Sequence, residues 1–253
     1  MKINPSMREG VSYITTSWDD GHPHDLRVAD LLEQHQMRGT FFVPITNREG
    51  LPVLSATQCR SLATRFEVGS HTLDHCYLNS VGLPEARRQI ADGKTQLEQI
   101  IGSRVQGFCY PGGRNNSAII DLVRSAGFEY ARGLTNLDTK IGERFFMPTT
   151  IQFYPHRRRV FLQNYLTKGG LNRYQLLPTL LAHGDLKSQL ISSMKYVALK
   201  GGIFHLWGHA WEFDKFGGWA LLNEVLAAAC DLFAPESRLS SLELAKIIYP
   251  PSD

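Results

Sequence analysis

Short β-like runs alternate with amphipathic helical patterns along most of the 253 residues, and this rhythm restricts the fold more than any other feature of the chain. Strand–helix alternation implies parallel pairing, because each connection must cross a face of the sheet before the next strand begins. Residues 11–18 alternate and are rich in β-branched and aromatic side chains, as a strand requires. Residues 25–37 then place Leu26, Ala29 and Leu32 at helical spacing, and 39–43 form a compact apolar run suited to a strand buried on both faces. Further strands are expected at 66–70, 105–110, 129–133, 145–152, 202–207 and 238–240. Helices are expected at 84–101, with proline in the first turn and Ala86, Ile90, Leu97 and Ile101 on one face, and at 117–126, stopped by Gly127. Residues 156–199 are mostly helical in pattern, as in Leu186, Leu190, Met194 and Val197. The whole chain, 1–253, reads as one α/β domain: a distorted (β/α) barrel of about seven parallel strands, with an open doubly wound sheet as the competing architecture.

Composition narrows the function classes. The chain has 27 basic and 24 acidic residues, and its net charge of +3 is too small to indicate nucleic-acid binding. One local basic run, His156, Arg157, Arg158 and Arg159, suits either a solvated helix start or a subsite for a phosphate-like anion. The four cysteines, Cys59, Cys76, Cys109 and Cys230, include no C-x-x-C pair, which argues against a thiolate zinc site and a disulfide framework. Residues 1–10 are polar without an apolar core, and no apolar stretch approaches the roughly 20 residues of a membrane span. A cytoplasmic enzyme is the resulting expectation.

Four polar clusters stand directly after expected strands: Asp19-Asp20-Gly21, His71 to His75, Tyr110 to Gly113, and His205 to His209. In an α/β barrel the C-terminal strand ends converge on one face, which carries the active site, so residues far apart in the chain meet there. His71 and His75, at i and i+4, can reach one ion from the same side of a helical turn. An aspartate adds a hard oxygen ligand, and three protein ligands leave a position open for water, as in catalytic zinc sites. Two adjacent carboxylates before a glycine suggest a division of labour: one for the metal, the other to take a proton from the water held there.

These residues resemble a known family. Ser17-Trp18-Asp19-Asp20-Gly21 resembles the T-F-D-D-G signature of the polysaccharide deacetylases, the fourth carbohydrate esterase family, and His71-Thr72-Leu73-Asp74-His75 matches its H-[ST]-x-x-H motif. The resemblance implies a distorted (β/α) barrel, a divalent metal that is usually zinc, and removal of acetyl groups from glycans. It assigns Asp19 as general base and Asp20, His71 and His75 as metal ligands. The third motif departs from the pattern. Where many members carry F-R-x-P-Y-G, this chain has Phe108-Cys109-Tyr110-Pro111-Gly112-Gly113, so Cys109 stands at the arginine that steadies the base. Arg114 is one candidate replacement, and Cys109 reads as a small buried filler. The backbone near Gly112 is the implied oxyanion donor, where a missing Cβ would admit the substrate carbonyl.

The family places its general acid on a histidine after the last long strand. This chain offers His205 and His209; His209, beside Glu212 and Asp214, is favoured, and His205 is the alternative. His22 and His24 are expected to shape the cleft rim. Tyr110, Pro111, Gly112 and Trp207 are the candidate substrate contacts, with Trp211 completing an apolar wall. The reading is a metal-dependent hydrolase removing an N-acetyl group from a sugar or polysaccharide, with a phosphate-linked sugar among the candidate substrates. A small cyclic amide or imide as substrate, and a silent glycan-binding relative, are the alternatives.

Overall fold

A computed structural model of the chain describes residues 10–157, 159–160, 163 and 175–250. The strands are β1 (Ser12–Asp19), β2 (Thr40–Val43), β3 (Glu67–Ser70), β4 (Gly107–Cys109), β5 (Tyr130–Arg132), β6 (Ile151–Gln152), β7 (Gly202–Gly208) and β8 (Arg238–Leu239). Eight α-helices are described: α1 (Asp25–Gln34), α2 (Ala56–Ala63), α3 (Leu83–Ile101), α4 (Ser117–Ser125), α5 (Leu177–Ala182), α6 (Leu186–Lys200), α7 (Gly218–Leu232) and α8 (Ser241–Ile248). No helix among the described residues is long and apolar enough to cross a membrane.

Every strand pairing is parallel, in the order β5-β4-β3-β2-β1-β7-β6. β1 is the hub. β7 occupies one of its edges from Ser12 to Trp18, so β8, at Ile14 and Thr15, and β2, from Ser17 to Asp19, share the other. The sheet curls so far that residues after β5 close it. Met147 N–H donates to Ala131 O at 2.8 Å and Gly133 N–H to Met147 O at 2.9 Å, while Thr150 N–H reaches His205 O at 3.0 Å. The result is a distorted (β/α) barrel rather than an open sheet.

The strand expected at 145–152 is shorter than the pattern suggests, reduced to β6 and the single bridge at Met147. Pro148 cannot donate to a ladder, and Glu143 and Phe146 pair with each other in a tight reversal instead. The helix expected at 25–37 ends at Gln34, because Gln36 turns the chain with φ 51°. Helices α2 and α8 escaped the periodicity reading, yet both begin with capping boxes visible as Ser55-x-x-Gln58 and Ser240-x-x-Glu243. The anticipated face of α6, Leu186, Leu190, Met194 and Val197, is buried. In the basic run, Arg158 lies outside the described residues.

The barrel interior is a packed core of Phe42, Cys109, Tyr130, Met147, Ile203 and Leu239, joined to Leu244 and Ile248 of α8. At the N-terminal end of the sheet this core is bordered by a half-buried carboxylate. Glu67 accepts hydrogen bonds from Tyr130 Oη (2.6 Å), Thr40 Oγ1 (2.8 Å) and Leu242 N (2.9 Å), linking β3 to β5, β2 and α8. Burial pushes its carboxyl above the usual range, opposed by those donors. The absence of a side chain at Gly107 admits the Tyr130 hydroxyl, which a Cβ would strike. Tyr130→Phe removes one donor from a half-buried acceptor and is expected to lower stability by about 1–3 kcal/mol. Urea unfolding should show a lower midpoint at unchanged slope.

Candidate active site

β1 delivers both aspartates to the C-terminal rim of the barrel, but the backbone separates their directions. Asp19 is the last strand residue and is buried, whereas Asp20 adopts φ 77°, a left-handed conformation that few side chains tolerate. Gly21, also left-handed at φ 59°, lies so close to Val43 that a Cβ would clash. The side chain of Asp20 turns to the histidine segment after β3. That segment is an irregular turn rather than the expected helical one, because Thr72 and His75 have φ 70° and 61°. Other bonds hold it: Thr72 Oγ1 accepts from Cys76 N at 3.0 Å, and Leu73 O accepts from the amides of Ile45 and Thr46 at 3.0 and 2.9 Å.

The turn nevertheless aims both rings at Asp20. Oδ1 of Asp20 lies 3.6 Å from His71 Nε2 and 3.2 Å from His75 Nε2, yet it is buried and makes no hydrogen bond. Donor–acceptor distances without hydrogen-bond alignment are what three lone pairs aimed at a common centre produce. Two of the three outer atoms are hydrogen-bonded, and His75 Nδ1 has only Glu49 nearby. His71 Nδ1 contacts Cys109 O at 2.9 Å, and a carbonyl can only accept, so Nδ1 carries the proton and Nε2 the lone pair. His75 Nδ1 lies 3.5 Å from Glu49 Oε1, and Asp20 Oδ2 accepts from Trp211 Nε1 at 2.9 Å. Burial lowers the His71 pKa to about 4, keeping the ring neutral. Burial opposes ionisation of Asp20 too, but His75, His209 and His71 hold its carboxyl well below the usual range. A carboxylate and two imidazoles aimed at a common centre fit a divalent cation such as zinc.

Asp19 faces a different partner. Its Oδ2 accepts from Nη2 of Arg132, the last residue of β5, and its Oδ1 makes no hydrogen bond. The Arg132 guanidinium also donates to Cys109 Sγ at 3.0 Å and lies 5.3 Å from the ring centres of both Phe42 and Trp207. Asp19, His71 and Cys109 form a second close cluster, but the Arg132 charge among them disfavours another cation there. Arg114, the replacement considered from sequence, instead lies over Tyr77 at 4.7 Å. Sequence reasoning missed Arg132, although a lone arginine in an apolar strand is itself a signal, since a buried charge needs a partner.

The two candidate acids part clearly. His205, opposite Thr15 in the β1–β7 register, is buried with its nitrogens at Thr15 Oγ1 (2.6 Å) and Ser17 Oγ (2.8 Å). Burial, reinforced by the Arg132 charge, pushes its pKa well down. His209 follows β7 at the rim, with Nδ1 2.9 Å from Glu212 Oε2 and Nε2 4.0 Å from Asp20 Oδ2. Burial would lower its pKa, but Glu212, Asp20 and Asp19 together raise it.

Not every expected substrate contact is available. Tyr110 is fully buried; its hydroxyl donates to Phe145 O at 2.9 Å and its ring packs on Phe108 and Phe146, so it belongs to the core. Pro111 is buried as well, and Trp207 is 5% exposed with Nε1 donating to Asn136 Oδ1 at 3.1 Å. Gly112 has φ 60°, and the Tyr77 ring fills the space a Cβ would need, so its own packing already requires glycine. Trp211, expected in an apolar wall, contacts Asp20. His22 and His24 pack edge to face with each other, and His24 likewise meets Trp219.

One glycine ties the helix layer to the histidine turn. A Cβ at Gly93, within α3, would lie 2.7 Å from Thr72 C and 2.8 Å from Leu73 N. Gly93→Ala improves helix propensity by about 1 kcal/mol but must displace the backbone carrying His71 and His75. Net destabilisation and weaker retention of an added divalent metal are expected, read by thermal melting and by metal content after dialysis.

The polysaccharide deacetylase family model matches residues 7–131, which include Asp19, Asp20, His71 and His75. A peptidoglycan-N-acetylglucosamine deacetylase of Bacillus cereus is 29% identical over 118 residues, 46% of this chain. The matched part spans only 54% of that relative. Among solved structures, a family 4 carbohydrate esterase from Streptomyces lividans in complex with acetate aligns over 89% of this chain and 95% of its own, with TM-score 0.53 and 12% identity. A pseudoenzyme of the same esterase family from Bacillus anthracis aligns over 95% of this chain and 66% of its own, with TM-score 0.56 and 13% identity. These two likenesses are of fold. Over residues 7–131 the chain is similar to the polysaccharide deacetylase family, and its barrel is of the fold that family 4 carbohydrate esterases share.

Proposed function

We propose that the chain is a metal-dependent deacetylase acting on the N-acetyl group of a sugar or polysaccharide. The observation carrying this reading is the convergence of Asp20 Oδ1, His71 Nε2 and His75 Nε2 beside an Asp19 whose Oδ1 has no partner. Asp20, His71 and His75 would hold one divalent cation, zinc by the chemistry of its donors; such an ion supplies Lewis acidity and brings the pKa of water towards about 7. Asp19 takes the proton of the attacking water through Oδ1. The amide of Gly112 is the candidate oxyanion donor, since the next two amides are committed, Gly113 N–H to Tyr110 O at 2.8 Å and Arg114 N–H to Pro111 O at 3.2 Å. His209, oriented through Nδ1 by Glu212, protonates the leaving nitrogen from Nε2 as the C–N bond breaks, giving a free amine and acetate.

Acetate release from N-acetylated sugar oligomers tests the proposal. Chelation should abolish activity and zinc restore it. Asp19→Asn and His71→Ala should each reduce kcat at least about a hundredfold, and only His71→Ala should empty the site. Full activity in either variant would sink the assignment.

Glu212 also makes a pH prediction. It raises the pKa of His209, which acts in its protonated form, so activity falls as pH rises through that pKa. Glu212→Gln removes this stabilisation of the imidazolium. The alkaline limb of the pH–kcat profile should therefore move to lower pH, with kcat reduced, while the acid limb stays.

A further inference from the structure

We propose that Arg132 is the positioning residue for the Asp19 base, and that positions 109 and 132 share space for a single guanidinium, supplied here from β5 instead of β4. The inference rests on the deacetylase reading above. Cys109 and Arg132 are register partners on adjacent strands, both about 1% exposed, so their side chains compete for the same interior volume. Cysteine is small enough to leave that volume to the arginine, and its sulfur takes one of the Nη2 protons. Phe42 and Trp207 flank the guanidinium, and Nη1 reaches Gly133 O at 3.4 Å.

The consequence falls on the carboxylate. Arg132 occupies Oδ2 of Asp19 and leaves Oδ1 unpartnered, so one oxygen is anchored and the other is presented. The same Cys109 whose sulfur meets Arg132 holds His71 Nδ1 through its carbonyl. The support of the base and the orientation of a candidate metal ligand therefore meet at one residue of β4. Lysine would not reproduce this arrangement, because a single ammonium has no second nitrogen to reach Gly133 O while the first serves Asp19 and the sulfur, and no planar face to set against the two rings.

The test compares wild type with Arg132→Met, Arg132→Lys and the exchange Cys109→Arg/Arg132→Cys, measuring kcat, KM, bound zinc and melting temperature. Arg132→Met should keep its zinc and its KM within about twofold while kcat falls about a hundredfold, the scale of a misplaced catalytic group. The exchange variant should recover at least about tenfold of that loss, which a purely structural role for Arg132 would not produce. The proposal is overturned if Arg132→Met keeps kcat within about threefold of wild type, or if a folded, zinc-loaded exchange variant is no more active than Arg132→Met. Should Arg132→Met fail to fold, Arg132→Lys decides: a kcat equal to wild type overturns the proposal, and a loss of at least about tenfold at unchanged KM supports it. Melting of Asp19→Asn, Arg132→Met and the double variant reads the pair without any reaction, and additive shifts would overturn it. If wild type released no acetate, the deacetylase reading would fail while this cycle still reported on the pair.

Discussion

A single charge pair, Asp19 with Arg132, joins β1 to β5 across the barrel interior. Each charge alone would be expensive to bury; together they offset each other, with the guanidinium close to the rings of Phe42 and Trp207. Much of the surrounding structure follows from this constraint. Cys109 must be small, and His205 is a ring held by two hydroxyls, kept neutral by burial and further by the Arg132 charge. Arg132 also offsets the repulsion that two adjacent buried carboxylates would otherwise exert on each other.

Asp19 and Asp20 are neighbours in the chain but belong to different environments. The strand ends with Asp19 pointing into the barrel, and the left-handed backbone at Asp20 swings its carboxylate to the histidine turn. Candidate base and candidate ligand are thus distinguished by one backbone angle rather than by chemistry. Trp211 and the Cys109 carbonyl then fix the outer atoms of Asp20 and His71, so two of the three cation-facing groups are oriented before binding.

The fold itself does not decide whether a member of this family is active. An acetate-bound esterase and a pseudoenzyme share the barrel with this chain at similar TM-scores of 0.53 and 0.56. Activity must be argued from the site. The strongest sequence argument for a silent relative was the cysteine at the third-motif arginine. With a guanidinium on Asp19 from another strand, that substitution loses its force.

The sequence by itself determined a parallel α/β sheet, from the alternation of strands and helices, and left the barrel and the open sheet both standing. It also grouped Asp20, His71 and His75, because each stands just beyond a strand and strand ends of one polarity gather on one face. The His71–His75 spacing named two rings that do converge, but an irregular turn brings them together where a helix was expected. Only the tertiary structure decided the rest: that Arg132, 113 positions from Asp19, is its partner, that Tyr110 is core, and that His209 rather than His205 stands at the rim. Local pattern records which residues are apolar and where a strand ends. Contact across the barrel depends on strand order, register and closure, which arise only when β1 meets β7 and the segment after β5 completes the wall.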